Sequence, residues 1–257
     1  MDDNSLTYEL TEGVAVITFN RPELLNALGH PHAKKFLELL DRAVDDGARA
    51  LITTGVGRFY SSGGDLTTNL DLSDIGEPME RLWNPLSEKL MNLPIPVITA
   101  MNGPAVGVSV SLALLSDIVI AEPQGYFLLS FANLGLIPDG GATWLLAKSI
   151  GRQRAMNMIM LAERLPVQQA YEWGLVSSVV ETGESLSVAR EIARKLAKGP
   201  TLAYNLIRQS MLAALENGFS ESLKIERVLQ KQAGASHDCA EALAAFAEKR
   251  KPLFVGS

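Results

Sequence analysis

The stretch Pro96-Val-Ile-Thr-Ala-Met-Asn-Gly-Pro-Ala-Val-Gly-Val-Ser-Val-Ser-Leu-Ala-Leu-Leu115 changes character twice. Pro96 to Ala100 reads as a β-strand, Asn102-Gly-Pro-Ala-Val-Gly107 as a turn, and Val108 to Leu115 as a helix of small and apolar residues. A helix that begins inside a protein leaves its first amide N–H groups without intrahelical acceptors, at the positive end of its dipole. A second small-residue turn lies upstream, Ser61-Ser-Gly-Gly-Asp65, where glycine permits positive φ and aspartate suits a helix N-cap. Packing alone would explain the small residues of either turn. If the two turns close on each other, they instead offer two backbone donors to one oxygen.

Outward from this unit, Val14 to Phe19, Ala50 to Thr54 and Ile118 to Ala121 also read as strands. Between the first two, Phe36, Leu37, Leu40, Ala43 and Val44 fall on one face of a helix. The alternation predicts a layered α/β architecture. Asp71 to Pro85 is polar, is broken by Gly76 and Pro78, and reads as a mobile flap. After Gly151 helical signals dominate. Pro166 opens a short helix that Gly174 ends, and Ser185 is placed as the N-cap of a helix reaching Lys198, with Val188, Ile192 and Leu196 on one stripe. Thr201 to Leu215 carries Leu202, Leu206 and Leu212, and a last helix follows Ser236 with Leu243 and Phe246 on one face. The chain is divided accordingly into a core, 1–195, and a C-terminal helical region, 196–257.

With 257 residues, 47% of them hydrophobic, the chain can bury a substantial core. A formal charge of -6 without a dense Lys/Arg run argues against nucleic acid and against an anionic membrane as partners, although a local basic patch could hold an anionic tail. Cys239 is the one cysteine, so no intramolecular disulfide and no thiolate metal cluster can form. His30, His32 and His237 form no HExxH arrangement, the pair His30-Pro-His32 reads as part of a loop before a helix, and no metal is expected. No apolar run is long enough to cross a bilayer and the ends carry no targeting pattern, so a cytoplasmic location is expected. Gly55-Val-Gly57 would place the third glycine of a dinucleotide fingerprint on Tyr60, and no Walker lysine motif follows.

One carboxylate has an unusual address: Asp139, in Phe131-Ala-Asn-Leu-Gly-Leu-Ile-Pro-Asp-Gly-Gly141. It can cap the helix that Ala-Thr-Trp-Leu-Leu begins, or it can serve as a lone acid or base beside a carbonyl.

Asn20-Arg-Pro-Glu-Leu-Leu-Asn-Ala-Leu28, Ser61-Ser-Gly-Gly-Asp-Leu66, Asn102-Gly-Pro-Ala-Val-Gly107, Ser116-Asp-Ile118, Leu134-Gly-Leu-Ile-Pro-Asp-Gly-Gly141, Ala170-Tyr-Glu-Trp-Gly-Leu-Val176 and Ala245-Phe-Ala-Glu-Lys-Arg-Lys-Pro252 occur in this order across nearly the whole chain. Together they resemble the crotonase, or enoyl-CoA hydratase/isomerase, superfamily. The resemblance implies an α/β spiral of ββα units with C-terminal trimerisation helices, a homotrimer or dimer of trimers, and acyl-coenzyme A thioesters as substrates. Coenzyme A then enters as part of the substrate, with no separate cofactor. By motif match the oxyanion-hole amides are those of Ser62 and Val108. Coenzyme A is expected along Glu23, Leu24 and Leu25 and the backbone of Ser62, Gly63, Gly64, Asp65 and Leu66, with Gly107 and Phe131 near the acyl group. Phe246 and Lys249 are expected at its adenine and phosphate end.

The departures bear on the chemistry. Hydratases of the superfamily use two glutamates, and Ser111 and Phe131 stand in their places here. The acid directly before Gly-Gly resembles the isomerase branch instead. The resemblance therefore implies proton transfer within an enoyl thioester, of the Δ3-Δ2-enoyl-CoA or the ring-type enoyl-CoA isomerase kind, with Asp139 as the shuttle and negligible water addition. Phe131 and Trp144 are expected to shield Asp139 from water, and Trp83, Tyr60 and Phe131 to line an acyl pocket. Two alternatives stay open: a hydrolase or dehalogenase with Asp139 as nucleophile, and a non-catalytic homologue that binds acyl-CoA or RNA.

Overall fold

The computed structural model describes residues 4–65 and 73–257. Strands β1 (Leu6–Thr11) and β2 (Val14–Phe19) form an antiparallel hairpin. Its two-residue turn, Glu12-Gly13, has both φ angles positive (53° and 75°), the geometry that follows the natural twist of paired strands. β3 (Ala50–Gly55), β4 (Val97–Met101), β6 (Ile118–Ala121) and β9 (Ser178–Val179) add in parallel, giving the order β1-β2-β3-β4-β6-β9. A second sheet, set at the mouth of the first, has the order β5-β7-β8 and consists of β5 (Ala105–Val106), β7 (Tyr126–Leu128) and β8 (Leu165–Pro166).

The large sheet is buried on both faces, as its nearly unbroken apolar strands require. Ala15, Ile17, Phe19, Leu51 and Val97 point into the main core, where α1 (His30–Asp45) inserts Phe36 and Leu40 and α2 (Asn84–Met91) inserts Leu86 and Leu90. Their chain neighbours Val14, Val16, Ala50, Ile52, Ile98 and Ala100 point the other way, onto α7 (Ser185–Ala197). That helix meets the sheet through Ala189, Ala193 and Ala197, and the branched residues Val188, Ile192 and Leu196 flank the seam half-buried. Position 195 lies inside α7.

The α3 helix (Val108–Leu114) and α4 (Ala142–Ile150) close the site end of the molecule, followed by α5 (Arg152–Leu161) and α6 (Val167–Glu172). α8 (Thr201–Glu216), α9 (Phe219–Gly234) and α10 (His237–Ala247) form the C-terminal helical layer. Asp117 ties this layer to the sheet: its carboxylate accepts the Val97 amide at 2.7 Å and Arg208 Nε of α8 at 2.7 Å.

Three expectations change. Ser185 is the first residue of α7 rather than its cap, and its hydroxyl and amide both bond the buried Glu122. Pro166 precedes α6 as its N-cap residue. The expected flap is helical from Glu77, because Asp74 Oδ1 accepts the Gly76 and Glu77 amides and starts a π-helical turn, Met79–Trp83, that runs into α2. Leu82 and Trp83 of this turn are buried. The first residues of that expected flap, from Asp71, lie outside the described residues.

Candidate active site

Two glycine turns meet in the structure. Ser61 pairs in parallel with Ala105, and its carbonyl accepts the Val106 amide at 3.0 Å. Leu28 pairs with Gly64 in the same way. At Gly63 φ is +85°, and a Cβ there would lie 2.3 Å from the Val106 carbonyl oxygen, so glycine is what lets the turns touch.

This contact decides which amides are free. Ser62 N–H donates to the Leu25 carbonyl at 2.9 Å, Gly63 N–H to Ser61 Oγ at 3.1 Å, and Asp65 N–H to the Leu28 carbonyl at 3.0 Å. Among the described residues the Gly64 amide has no acceptor, and a Cβ on Gly64 would meet nothing within 4 Å, so this stretch of backbone faces open space. On the second turn the Gly107 amide goes to the Leu128 carbonyl, and Val108 begins α3 with no intrahelical acceptor for its N–H. Gly64 and Val108 both line a cavity of about 360 Å³.

Asp139 lines the same cavity. Its side chain does not cap α4: Gly141 is the N-cap, and Asp139 serves that helix through its carbonyl, which accepts the Ala142 amide at 3.1 Å. The same carbonyl accepts Ser111 Oγ at 2.8 Å. Carboxylate oxygen Oδ1 is buried without a hydrogen-bond partner. Burial pushes the carboxyl up to about 6, with its own backbone N–H pulling weakly the other way. A carboxylate so held can exist charged or protonated near neutral pH and can therefore both take and return a proton.

Leu28, Met79, Trp83, Val108, Phe131 and Leu136 supply the apolar walls, with Gly107 between them. Ser62, expected to supply a donor, borders the cavity but has its amide engaged, and the unengaged amide of this turn is that of Gly64. Gly63 is buried behind the wall. Asp65 lines the cavity and lies 3.4 Å from Arg21 in an ion pair that braces the turn. Glu23, Leu24 and Leu25 sit outside, on and just after the 3-10 turn Pro22–Leu24, where the Leu25 carbonyl anchors Ser62. Leu66 lies outside the described residues.

Other expected residues are elsewhere. Tyr60 is fully buried in the core, edge-on to Phe19 and bonded to Thr53 Oγ1 at 3.1 Å, and burial pushes its phenol up to about 12. Trp144 lines a different cavity, under α8. In the single chain Phe246 is 85% exposed and Lys249 is also exposed, both away from the cavity. His30, expected to lie in a loop, is the first residue of α1 and lines the cavity with Ser130; neither was singled out as a site residue, because only the fold brings them to the pocket.

The sequence profile described as "Enoyl-CoA hydratase/isomerase" matches residues 9–257. The chain belongs to this family. A 1,2-epoxyphenylacetyl-CoA isomerase of Escherichia coli is 42% identical, over 95% of this chain and 96% of that one. A 2,3-dehydroadipyl-CoA hydratase, also of Escherichia coli, is 33% identical over 95% of each chain. Among solved structures, the enoyl-CoA hydratase of Bacillus anthracis superposes with a TM-score of 0.93 at 28% identity, covering 98% of this chain and 100% of that one. The α/β crotonase fold expected from the motifs is thus the fold of this enoyl-CoA hydratase/isomerase family member, and acyl-CoA is the substrate class of the family.

Proposed function

We propose that the protein is an enoyl-CoA isomerase that moves a double bond by proton transfer, with Asp139 as the single shuttle. The observation that carries the reading is that Asp139, whose Oδ1 is buried without a hydrogen-bond partner, lines the same cavity as Gly64 and Val108. A thioester carbonyl bonded by those two amides forms an oxyanion-hole complex, and charge arising on its oxygen as C2 loses a proton is stabilised. Each such donor contributes about 3–4 kcal/mol in measured enzymes. Asp139 takes the C2 proton, giving a dienolate, and returns it at C4, so the double bond moves into conjugation. No atom is gained or lost. Ser111 and Phe131 bring no carboxylate that could activate water, which separates this site from a hydratase pair. The isomerase named among the relatives supports this direction, while the relatives named as hydratases leave it to experiment.

The test is Asp139→Asn, assayed on a panel of 3-enoyl-CoA thioesters by the rise in conjugated absorbance. General acid–base groups contribute roughly 10²–10⁴-fold, and a sole shuttle belongs at the upper end. The variant is expected to bind a saturated acyl-CoA as the wild type does and to lose turnover and α-proton exchange with D₂O. Retention of more than about a tenth of wild-type turnover, against that expected loss, would assign the proton transfer to another group.

A further inference from the structure

Position 111 lies one turn into α3, three residues after Val108, and its side chain is fully buried. The hydroxyl of Ser111 makes one hydrogen bond of evident consequence, donating to the carbonyl of Asp139 at 2.8 Å. That carbonyl already accepts the Ala142 amide at 3.1 Å, so two donors from two different helices fix one peptide plane. On the carboxylate itself, Oδ1 has no hydrogen-bond partner. The next residue reinforces the arrangement. Gly140 has φ +60°, and a Cβ there would stand 2.9 Å from Ser111 Cβ and 3.1 Å from Val108 Cγ2. The Asp139-Gly140 turn is therefore packed against α3 at Ser111 and Val108.

We propose that Ser111 is a positioning residue that aims the Asp139 carboxylate into the cavity by holding the backbone beneath it. The proposal rests on the isomerase reading only for its catalytic consequence. The physical argument is one of leverage: Cα of Asp139 is directly bonded to the carbonyl carbon that Ser111 holds, so freeing that carbonyl lets the carboxylate swing away from where it is needed. A misplacement on the order of 1 Å can reduce turnover by about 100-fold. Ser111 touches no reacting atom in this scheme.

The experiment compares the full-length wild type, Ser111→Ala and Ser111→Thr, with Asp139→Asn used to assign the Asp139 carboxyl resonance in ¹³C spectra. His30, Asp65, Asp74 and Glu77 also line the cavity and are unchanged in all three, so they provide a common background. In the wild type the Asp139 resonance is expected to titrate at about 6. In Ser111→Ala the midpoint is expected to fall toward the ordinary carboxylate range as the group swings toward water, with kcat down about tenfold and KM within about twofold. Ser111→Thr keeps the hydroxyl and is expected to restore both. An unchanged midpoint in Ser111→Ala overturns the proposal, whatever happens to turnover. A shifted midpoint with unchanged kcat upholds the positioning role and instead removes Asp139 from the proposed reaction.

Discussion

A single buried carboxyl ties activity and stability of this protein to pH in opposite senses. If Asp139 acts as the base, kcat/KM falls as pH drops through about 6, because the proton then occupies the site that must receive one. A pH profile that is flat from 7 to 5 would remove this role. For stability, the folded-state value is raised above the ordinary 3.8, so the folded protein holds the proton more tightly than the unfolded chain. Stability is thus fully present below about 4 and is lost as pH rises through about 6, by roughly 3 kcal/mol at full deprotonation. Asp139→Asn is accordingly expected to gain thermal stability relative to wild type between pH 4 and pH 8, on that order; equal differences in Tm at both values would count against the burial penalty. Crotonyl-CoA is the third probe at this scale. With Ser111 and Phe131 where hydratases place glutamates, formation of 3-hydroxybutyryl-CoA is expected to stay far below the ~10 per second typical of enzymes, as read by loss of the conjugated absorbance.

At the scale of single elements, the helix α7 shows how a close approach selects small side chains. Ala189, Ala193 and Ala197 recur every four residues and meet the sheet, and the larger residues are pushed to the flanks. Ala193→Leu is expected to destabilise the fold by about 1–3 kcal/mol through overpacking, seen as a lower urea midpoint at unchanged slope. A midpoint equal to wild type would mean that the seam has room. The same helix shows what was legible in the sequence. Its extent is readable from periodicity, and Val188, Ile192 and Leu196 do share a stripe that packs against the core; that the alanines beside them make the closest approach is not readable, because hydrophobicity ranks side chains without knowing the distance between layers. The strands β2 and β6 were readable from their β-branched runs. β1 carries a period-two signal, with Leu6, Tyr8 and Leu10 alternating with polar neighbours, and is a strand the expected set lacks. β5, β8 and β9 have two residues each, too few to carry any periodic signal. The two glycine turns and Asp139 were readable as a site; the shift of the free amide from Ser62 to Gly64 was not, since it depends on which carbonyl lies behind each N–H.

For the whole molecule, the C-terminal layer leaves apolar surface uncovered. Ile207, Met211, Phe219, Val228, Leu243 and Phe246 are each more than half exposed, on three successive helices. An apolar face of this extent is commonly buried against another chain. The resemblance to the crotonase superfamily implies a homotrimer or dimer of trimers, for which light scattering is expected to give about three or six times the 27.7 kDa of one chain. A monomer at micromolar concentration would contradict it. Phe246 and Lys249, remote from the cavity of their own chain, could then reach a coenzyme A tail only across such an interface.

The meeting of the turns at Gly63 has a bearing on inheritance. The two amides that face the cavity belong to the main chain, so almost any replacement of Val108 leaves its N–H in place, and only proline deletes one outright. A scan of side-chain substitutions would pass over these two amides in silence, and it would flag Gly63 instead, a residue buried behind the cavity wall. A lineage carrying such a frame is free to exchange the acid at 139 or the neighbours at 111 and 131 while the two amides are handed down unaltered. New reactions on this scaffold can thus be reached by a few point changes around a part that point changes rarely reach.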